Sequence, residues 1–443
     1  MYKVPQIIDS NKIFIVQRSE IEGRLDPKMA LYNRKVQHSL YPKVKLKDLL
    51  VCKPQYGAGE PGIERKSQLE PRYIRITDID DNGLVSDDDL GATANIVEDK
   101  YILNKDDILI ARSGATVGKA YIHKPTPYDC FFAGYLIRFK IDKNKALPNY
   151  VFSYTQLNTY KNWVNAVQRP SGQPNINSEE YQSLEIPLPD IVKQQEIVDI
   201  IKSAYLQKKQ KENEAQQLLD SIDDYILEEL GITLPKNKTD LESRMFMVNR
   251  SELEERLDPF YIMRSNNDMQ CVKYDRKELG RIATIVKGNS LTSKEVTEGT
   301  IPVIAGGKSS PYCHNISNYQ GNVITVSASG AYAGYVWYHD YPIFATDCSV
   351  VFSNNEEYVT TLFISEIMKL QQNRIYNFQS GAAQPHVYPD DLKKVSIPIP
   401  PLTKQQEIAN HICAIRQQAK QLQAEGKAIL ENAKKEVEQM IIG

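Results

Sequence analysis

Two long stretches of the chain place apolar side chains at alternating intervals of four and three residues. The first seam runs through Ile197, Ile201, Ala204, Lys208, Lys211, Ala215, Leu218, Ile222 and Tyr225. The second runs through Ile408, Ile412, Ile415, Ala419, Leu422, Gly426, Ile429, Ala433 and Glu436. This spacing is typical of coiled-coil helices. Because neither narrow seam can be buried alone, we predict that the two helices pack on each other within one chain, with an intermolecular coil as the alternative.

The stretches before these helices have the pattern of short strands and turns. Apolar, β-prone runs occur at 107–111 and 323–326, and Gly, Asn and Pro residues separate such runs. Each stretch ends in a proline-rich segment, I-P-L-P at 186–189 and I-P-I-P at 397–400, which cannot continue a helix. We therefore predict two globular regions that are rich in strands, each followed by a long helix.

The chain also repeats itself. The I-P-x-P segments and the K-Q-Q-E-I segments that follow them recur at a constant offset of 211 residues. Three further motifs recur in the same order: R-L-D-P at 24–27 and 256–259, S-G-A-x-x-G at 113–118 and 329–334, and S-G…Q-P at 171–174 and 380–385. Four motifs in one order twice indicate two copies of a single module.

The repeat predicts six regions along the chain. They are an N-terminal arm (1–43), a first globular domain (44–190), a central helix (191–231), a linker with a second arm (232–272), a second globular domain (273–396) and a distal helix (397–443).

Composition narrows the class of protein. The 443 residues carry 25% charged and 41% hydrophobic side chains with a net charge of −2, which is ordinary globular usage without a bulk basic field. No run of about 18 apolar residues or secretory signal is found. The six cysteines lie far apart without a C-x-x-C pair, so we expect reduced and mostly buried thiols. We expect a soluble, cytoplasmic protein with no membrane segment.

Residues 113–119, S-G-A-T-V-G-K, look like a phosphate-binding loop. That loop requires four residues between its glycines and a Ser or Thr after the lysine, whereas this segment has three and then Ala120. A strand–turn–strand is the favoured interpretation, and a nucleotide-binding enzyme that uses Ser113–Lys119 is the alternative. Neither a nucleophile with its base nor histidines with metal-ligand spacing are found, so the sequence gives no sign of an enzyme or of a metal site.

The duplicated order of the I-P-x-P, K-Q-Q-E-I, R-L-D-P and S-G…Q-P segments resembles the specificity (S) subunit of Type I restriction–modification systems, from Arg24 to the end of the chain. The resemblance implies an α+β fold with an internal pseudo-twofold repeat. Two mixed α/β target-recognition domains would be held apart by two long antiparallel coiled-coil helices.

The resemblance also implies a function. The chain would be a non-catalytic subunit that reads a bipartite, asymmetric site in double-stranded DNA, one half per domain. It would recruit two modification (methyltransferase) subunits and restriction (translocase/nuclease) subunits. S-adenosylmethionine, ATP and Mg would be bound by those partners, and no cofactor by this chain. A coiled-coil adaptor between proteins is a further alternative.

Polar and basic residues beside the duplicated glycine turns are the candidate DNA-binding residues, because Arg can bond guanine and Gln or Asn adenine in the major groove. They are Arg112, Ser113, Arg169, Ser171, Gln173 and Asn175 in the first domain, and Lys287, Asn289, Ser290, Lys308, Ser309, Gln379 and Gln384 in the second. The alternative is that these residues stabilise the turns. Residues 44–190 carry 18 basic and 20 acidic side chains, and residues 273–396 carry 11 of each. We therefore predict weak DNA binding by the isolated chain, since phosphate contacts require cations.

Overall fold

The computed structural model describes residues 15, 27–35, 39–86, 90–168, 174–234, 269–292, 294–381 and 384–443. The chain divides into two compact units. The first unit is 1–212 together with 423–443, and the second is 213–422. Among the described helices, none combines the length and the apolar character needed to cross a bilayer.

The secondary structure alternates short strands with a few helices, two of which are very long. The helices are α1 (Pro27–Lys35), α2 (Pro148–Thr155), α3 (Asn158–Val167), α4 (Ser178–Gln182), α5 (Ile191–Leu230), α6 (Leu279–Ile282), α7 (Thr361–Leu370), α8 (Gln372–Tyr376), α9 (Pro389–Lys393) and α10 (Leu402–Ile442), with 3-10 turns at Leu46–Leu49 and Asp99–Tyr101.

The strands of the first unit are β1 (Lys43–Lys45), β2 (Gln55–Tyr56), β3 (Ile63–Glu64), β4 (Arg72–Ile74), β5 (Ala92–Thr93), β6 (Ile108–Ala111), β7 (Ala120–Ile122), β8 (Cys130–Phe132), β9 (Leu136–Phe139) and β10 (Glu185–Pro187). Those of the second are β11 (Ile232–Thr233), β12 (Gln270–Cys271), β13 (Arg276–Glu278), β14 (Ala283–Lys287), β15 (Ile301–Ile304), β16 (Cys313–His314), β17 (Val323–Ser327), β18 (Val336–His339), β19 (Phe344–Ala345), β20 (Cys348–Ser353) and β21 (Ser396–Pro398).

The main sheets of the two units have the same topology. In the first unit the four-stranded sheet has the order β2-β9-β6-β7, and in the second unit the order β14-β20-β17-β18. A parallel pair lies in a further sheet of each unit, β4-β8 and β15-β19. The I-P-x-P segment forms β10, paired with β1, in one unit and β21, paired with β13, in the other. The predicted α+β fold and its internal repeat are confirmed.

In the first unit, the N-terminal half of α5 packs on the C-terminal half of α10. Ile197, Ile201 and Ala204 lie in one buried cluster with Leu430 and Val437. The packing is antiparallel, since residues early in one helix meet residues late in the other.

The centre of the seam is polar, as its sequence predicts. The Lys211 ammonium lies 3.1 Å from the Glu425 carboxylate on the opposite helix. A Cβ on Gly426 would lie 3.3 Å from the Lys208 carbonyl oxygen, so the absence of a side chain there allows the two backbones to approach. The predicted last seam position, Glu436, is wrong: Glu436 is exposed and the neighbouring Val437 is fully buried.

In the second unit, the C-terminal half of α5 packs on the N-terminal half of α10. Ile222 and Ile226 share a buried cluster with Ile408 and Ile412. These contacts are antiparallel as well, so the predicted helix pair within one chain is confirmed.

The K-Q-Q-E-I segments owe their recurrence to one buried glutamine in each copy. Gln194 accepts a hydrogen bond from the Leu147 amide at 2.8 Å and donates to the Pro189 carbonyl at 2.8 Å. Gln405 accepts from the Thr360 amide at 3.0 Å and donates to the carbonyl before α10 at 2.9 Å. Each glutamine therefore ties the start of a long helix both to the proline-rich segment and to the start of a helix in its globular domain, α2 in the first unit and α7 in the second.

Several predictions from the sequence are wrong or are not tested by the described part of the structure. The R-L-D-P arms lie outside the described residues, except that α1 begins at Pro27. All six cysteines are free, but Cys52, Cys313 and Cys413 are exposed, so the expectation that most are buried is wrong. The bounds of the six predicted regions stay a prediction.

Candidate nucleic-acid interface

In the first unit a glycine turn joins β6 to β7 at one end of the main sheet. Gly114 and Gly118 have φ angles of +81° and +85°, in the left-handed region that favours glycine. The Gly118 amide donates to the Ala111 carbonyl at 2.9 Å, and the Gly114 amide donates to the Pro174 carbonyl at 3.0 Å. The S-G-A-x-x-G motif is therefore hydrogen-bonded to the proline of the S-G…Q-P motif, which explains why the two motifs recur together.

The second unit repeats this turn between β17 and β18. Gly330 and Gly334 have φ angles of +86° and +95°. The Gly334 amide donates to the Ser327 carbonyl at 2.7 Å, and the Gly330 amide donates to the Pro385 carbonyl at 3.1 Å. The backbone scaffold at this point is thus the same in both units.

The turn in the first unit does not have the geometry of a phosphate-binding loop. The amides of Val117 and Lys119 donate to carbonyls within the turn, at 3.2 Å and 3.0 Å, and a strand follows instead of a helix. A phosphate loop needs several free amides and a helix N-terminus. The Lys119 ammonium lies 2.9 Å from the Asp81 carboxylate. The strand–turn–strand interpretation is confirmed.

Arg112 is the central side chain beside the turn of the first unit. Its guanidinium carbon lies 5.0 Å from the centroid of the Tyr56 ring, which favours a cation–π contact. Tyr56 donates a hydrogen bond to the Ser178 hydroxyl at 3.2 Å. Asn175 is exposed and pairs through its backbone with Ser113, whose side chain is buried. Arg112 and Asn175 are brought together here, whereas Ser113 lies beneath them.

In the second unit a lysine and two tyrosines lie beside the turn. The Lys308 ammonium lies 4.6 Å from the centroid of the Tyr332 ring and 5.7 Å from that of Tyr335. Lys308 and Tyr332 are exposed. The Ser329 hydroxyl donates to the carboxylate of Asp347, which is exposed at the same edge. A cation, aromatic rings and an acceptor thus share this surface.

The remaining candidate residues divide into three groups. The exposed ones are Lys287, Asn289, Ser290, Ser309 and Gln384. Gln379 donates to the Ala333 carbonyl at 2.8 Å, so its amide supports the second turn from within the domain. Arg169, Ser171 and Gln173 lie outside the described residues. Whether any of these residues contacts DNA stays a prediction.

Sequence reasoning missed the aromatic partners of the cations. Tyr332 could have been found, because it lies inside the duplicated S-G-A-x-x-G segment beside other candidates. No sequence signal marks Tyr56, since it meets Arg112 only because β2 is aligned with β9 in the sheet.

Burial shifts the pKa values of two groups in the main sheet of the second unit. Burial raises the pKa of the Cys348 thiol to about 12. Burial and the nearby Lys369 charge lower the pKa of His339, at the opposite end of β18, to about 4. Within the ranges that the structure describes, no three His, Cys, Asp or Glu side chains are placed to hold a metal ion.

The family described as Type I restriction modification DNA specificity domain matches residues 73–220 and 272–431, more than half of the chain. The chain belongs to this family. One matched segment lies in each copy of the repeat. The matched domain is that of the specificity subunit, the non-catalytic subunit of these systems, so the predicted family is confirmed.

Individual proteins resemble the chain at low identity. Over 129 residues it is 25% identical to the Type I restriction enzyme StySPI specificity subunit of Salmonella potsdam, a match that covers 28% of this chain and only 27% of that protein. The S subunit of a Type I restriction–modification system from M. genitalium is 14% identical, with a TM-score of 0.45, and the match covers 91% of this chain and 96% of that one. A structure from work on complex assembly and conformational transition of the type I R-M system is 13% identical, with a TM-score of 0.49 and coverage of 90% and 95%.

Proposed function

We propose that the chain is the sequence-recognition subunit of a Type I restriction–modification complex in the cytoplasm. Each globular domain reads one half of a bipartite, asymmetric DNA site through the surface around its glycine turn. The observation that carries this proposal is the turn itself, which has the same backbone in both units but different side chains around it. Two half-sites of different sequence require such a pair, since hydrogen bonds to base edges specify sequence.

Residues beside the turns have the chemistry of base readout. Arg112 presents a planar set of donors of the kind that bonds guanine, and Gln384 presents an amide of the kind that bonds adenine. Lys308 is an exposed cation suited to a phosphate or a guanine. Tyrosines beside the two cations restrict where their charges lie.

The proposal extends to partners. Two modification subunits bind the α5–α10 pair and supply S-adenosylmethionine and the methylation chemistry, and restriction subunits add ATP- and Mg-dependent translocation and cleavage. A groove in the first unit supports such docking. Exposed Ile191 and Val192 line it together with Ile200 and Glu436, and its volume is about 1060 Å³.

Single-molecule methylation sequencing tests the proposal in a host that expresses the chain with its neighbouring methyltransferase subunit. We expect a split motif of modified adenines that disappears when the chain is deleted. Replacing residues 44–190 with the corresponding domain of another member of the family should change only one half of that motif. Methylation that does not depend on the chain would contradict the proposal and favour a coiled-coil adaptor.

DNA binding by the isolated chain provides a second test. The near balance of charge in both domains predicts weak binding that falls steeply with salt. Fluorescence anisotropy with duplexes that contain the methylation motif, with and without the methyltransferase subunit, measures it. Tight, salt-resistant binding without partners would contradict this expectation.

A further inference from the structure

The two glycine turns can be aligned residue by residue from their backbone hydrogen bonds, without reference to sequence similarity. The Arg112 amide donates to the Tyr135 carbonyl at 2.9 Å, and the Ala328 amide donates to the Asp347 carbonyl at 3.2 Å. Ala111 pairs with Leu136 in one sheet as Ser327 pairs with Cys348 in the other. Arg112 is therefore equivalent to Ala328, and Tyr135 to Asp347.

The same argument aligns two more positions. The Ile176 amide donates to the Arg112 carbonyl and the Val387 amide donates to the Ala328 carbonyl, at 2.8 Å and 3.1 Å, which makes Asn175 equivalent to His386. On the other side of the turn, Tyr56 pairs with Ile137 and Lys287 pairs with Ser349, at corresponding points of β9 and β20. Tyr56 is therefore equivalent to Lys287.

This alignment separates two classes of position. The residues that shape the backbone are identical in both units: Gly57 and Gly288, Ser113 and Ser329, Gly114 and Gly330, Gly118 and Gly334, Pro174 and Pro385. The residues whose side chains surround that backbone differ in chemical class at every pair: Tyr56 and Lys287, Arg112 and Ala328, Tyr135 and Asp347, Asn175 and His386. None of these eight side chains is fully buried.

We infer that these four pairs of equivalent positions determine which base pairs each half of the DNA site contains. The inference rests on the proposed function and names the residues that carry its specificity. A constant backbone presents all four positions to the DNA in the same way, so the side chains alone distinguish the two half-sites. Neither Tyr56, Tyr135, Asp347 nor His386 is a candidate from the sequence.

The first unit presents a guanidinium. The Nε atom of Arg112 is buried and has no hydrogen-bond partner within the described part of the chain, and no described carboxylate lies within ion-pair distance of this side chain. The guanidinium is held over Tyr56 instead of being neutralised by an acid. An arginine held in this way suits guanine, whose O6 and N7 atoms accept two parallel hydrogen bonds in the major groove.

The second unit presents a carboxylate. Asp347 is exposed, and the Ser329 hydroxyl donates to one of its oxygens, which fixes the direction of the carboxyl group. A carboxylate at this position accepts a hydrogen bond from the exocyclic amino group of a base and repels the acceptor atoms of guanine. Ala328 leaves room in front of it, where the other unit has the long Arg112 side chain.

Methylation sequencing of single variants tests the inference in the complete complex. With Arg112→Ala, we expect one position in one half of the motif to lose about tenfold to a hundredfold in base discrimination, while the other half is unchanged. With Asp347→Ala, we expect the same kind of loss in the other half only. The matched controls are Arg75→Ala, an arginine of the first domain paired with Asp78, and Asp340→Ala, an exposed acid at the opposite end of β18. Both control variants should give the same methylation motif as the unmodified chain.

Two further variants guard against loss of folding. Tyr135 and Asn175 are exposed, so Tyr135→Ala and Asn175→Ala remove no buried contact and should relax the same half of the motif as Arg112→Ala. An unchanged motif in these variants and in Asp347→Ala, or a single variant that relaxes both halves, would overturn the inference. Failure of the proposed function is a different result, since then no motif depends on the chain at all.

Discussion

The two units attach their β-rich domain to the long helices at the same place but with different chemistry. In the second unit Glu366, on α7, is almost completely buried and accepts hydrogen bonds from Arg416, on α10, at 2.6 Å and 2.5 Å. Lys369 approaches the same carboxylate at 3.2 Å. The Leu147 and Thr360 amides donate to equivalent glutamines, so these two residues are equivalent, and Ser153 and Glu366 each lie six residues after them. Ser153 is therefore the counterpart of Glu366. The 211-residue offset between the long helices makes Tyr205 the counterpart of Arg416.

The first unit has no charge at these two positions. Tyr205 donates to the Asn82 carbonyl at 3.0 Å, and Ser153 is buried. An aromatic cluster that includes Tyr160, Trp163 and Tyr181 fills the domain above α5 and α10. The two copies of the module thus share backbone contacts, while the side chains at these positions are uncharged in the first unit and ionic in the second. A buried ion pair stabilises little by itself but makes its site intolerant of losing one partner.

The largest difference is expected for Glu366→Ala. The substitution leaves Arg416 and Lys369 without their buried partner, so we expect the second unit to lose about 3–5 kcal/mol of unfolding free energy. Each unit contains one of the two tryptophans, Trp163 and Trp337. Urea unfolding followed by Trp337 fluorescence, in a Trp163→Phe background, measures the loss. The matched control is Ser153→Ala, followed through Trp163, for which we expect about 1 kcal/mol or less. Equal losses would remove the distinction between the units.

A smaller effect is expected from pH. His123 and His339 are equivalent in the two sheets and both are buried. Burial lowers the pKa of both, that of His339 to about 4. The unfolded chain then binds more protons than the folded one between about pH 6.5 and pH 4, so stability falls as pH falls through that window, by up to about 3 kcal/mol for His339. Unfolding at several pH values, followed by each tryptophan, should show a steeper decline for Trp337.

The pH prediction has its own control. His339→Asn should flatten the decline in stability that Trp337 reports above pH 4 and leave the decline that Trp163 reports unchanged.

Below pH 4 the protonation of Glu366 adds a further loss of stability. Its burial raises the pKa, but the hydrogen bonds from Arg416 and the Lys369 charge outweigh burial and lower the pKa below its ordinary value. Its stabilisation is therefore lost only as pH falls below about 4. A decline that persists in the His339 variant between pH 6.5 and 4 would contradict the assignment.

The smallest contrast is expected between the two buried glutamines. Gln405 makes hydrogen bonds to the Thr360 amide and to the carbonyls of Tyr358 and Pro400, whereas Gln194 bonds one amide and one carbonyl. Gln405→Ala should cost about 2 kcal/mol and Gln194→Ala somewhat less, because fewer buried groups lose their partner. Thermal unfolding of the two variants measures the order, and a larger loss for Gln194→Ala would reverse it.

Much of the architecture could be predicted from the sequence, because the relevant signals are local. The 3.5-residue period identifies α5 and α10, and the proline-rich segments mark where they begin. The period fails towards the C-terminal ends of both helices, where Ile226, Leu430 and Val437 are buried more deeply than the predicted seam positions Tyr225, Ile429 and Glu436. A spacing of four residues there follows the straight helix instead of the coiled-coil period.

The glycine turns could also be predicted, because a backbone position with a positive φ angle is usually occupied by glycine. Gly114, Gly118, Gly330 and Gly334 all have positive φ angles. Their surroundings could not be predicted in the same way. Tyr56, Arg112, Tyr135 and Asn175 come from four separate segments, and only the pairing of β2, β9 and β6 with the Q-P segment brings them to one edge.

By itself the sequence determined two copies of a module, two long helices and a pair of glycine turns. Only the tertiary structure decided which side chains of the two copies correspond. The offset between equivalent residues falls from 231 for Tyr56 and Lys287 to 216 for Arg112 and Ala328, and to 211 for Asn175 and His386. The segments between the strands differ in length in the two copies, so equivalent residues cannot be identified from sequence spacing alone. Backbone hydrogen bonds identify them, because a sheet aligns residues by strand pairing and not by their distance along the chain.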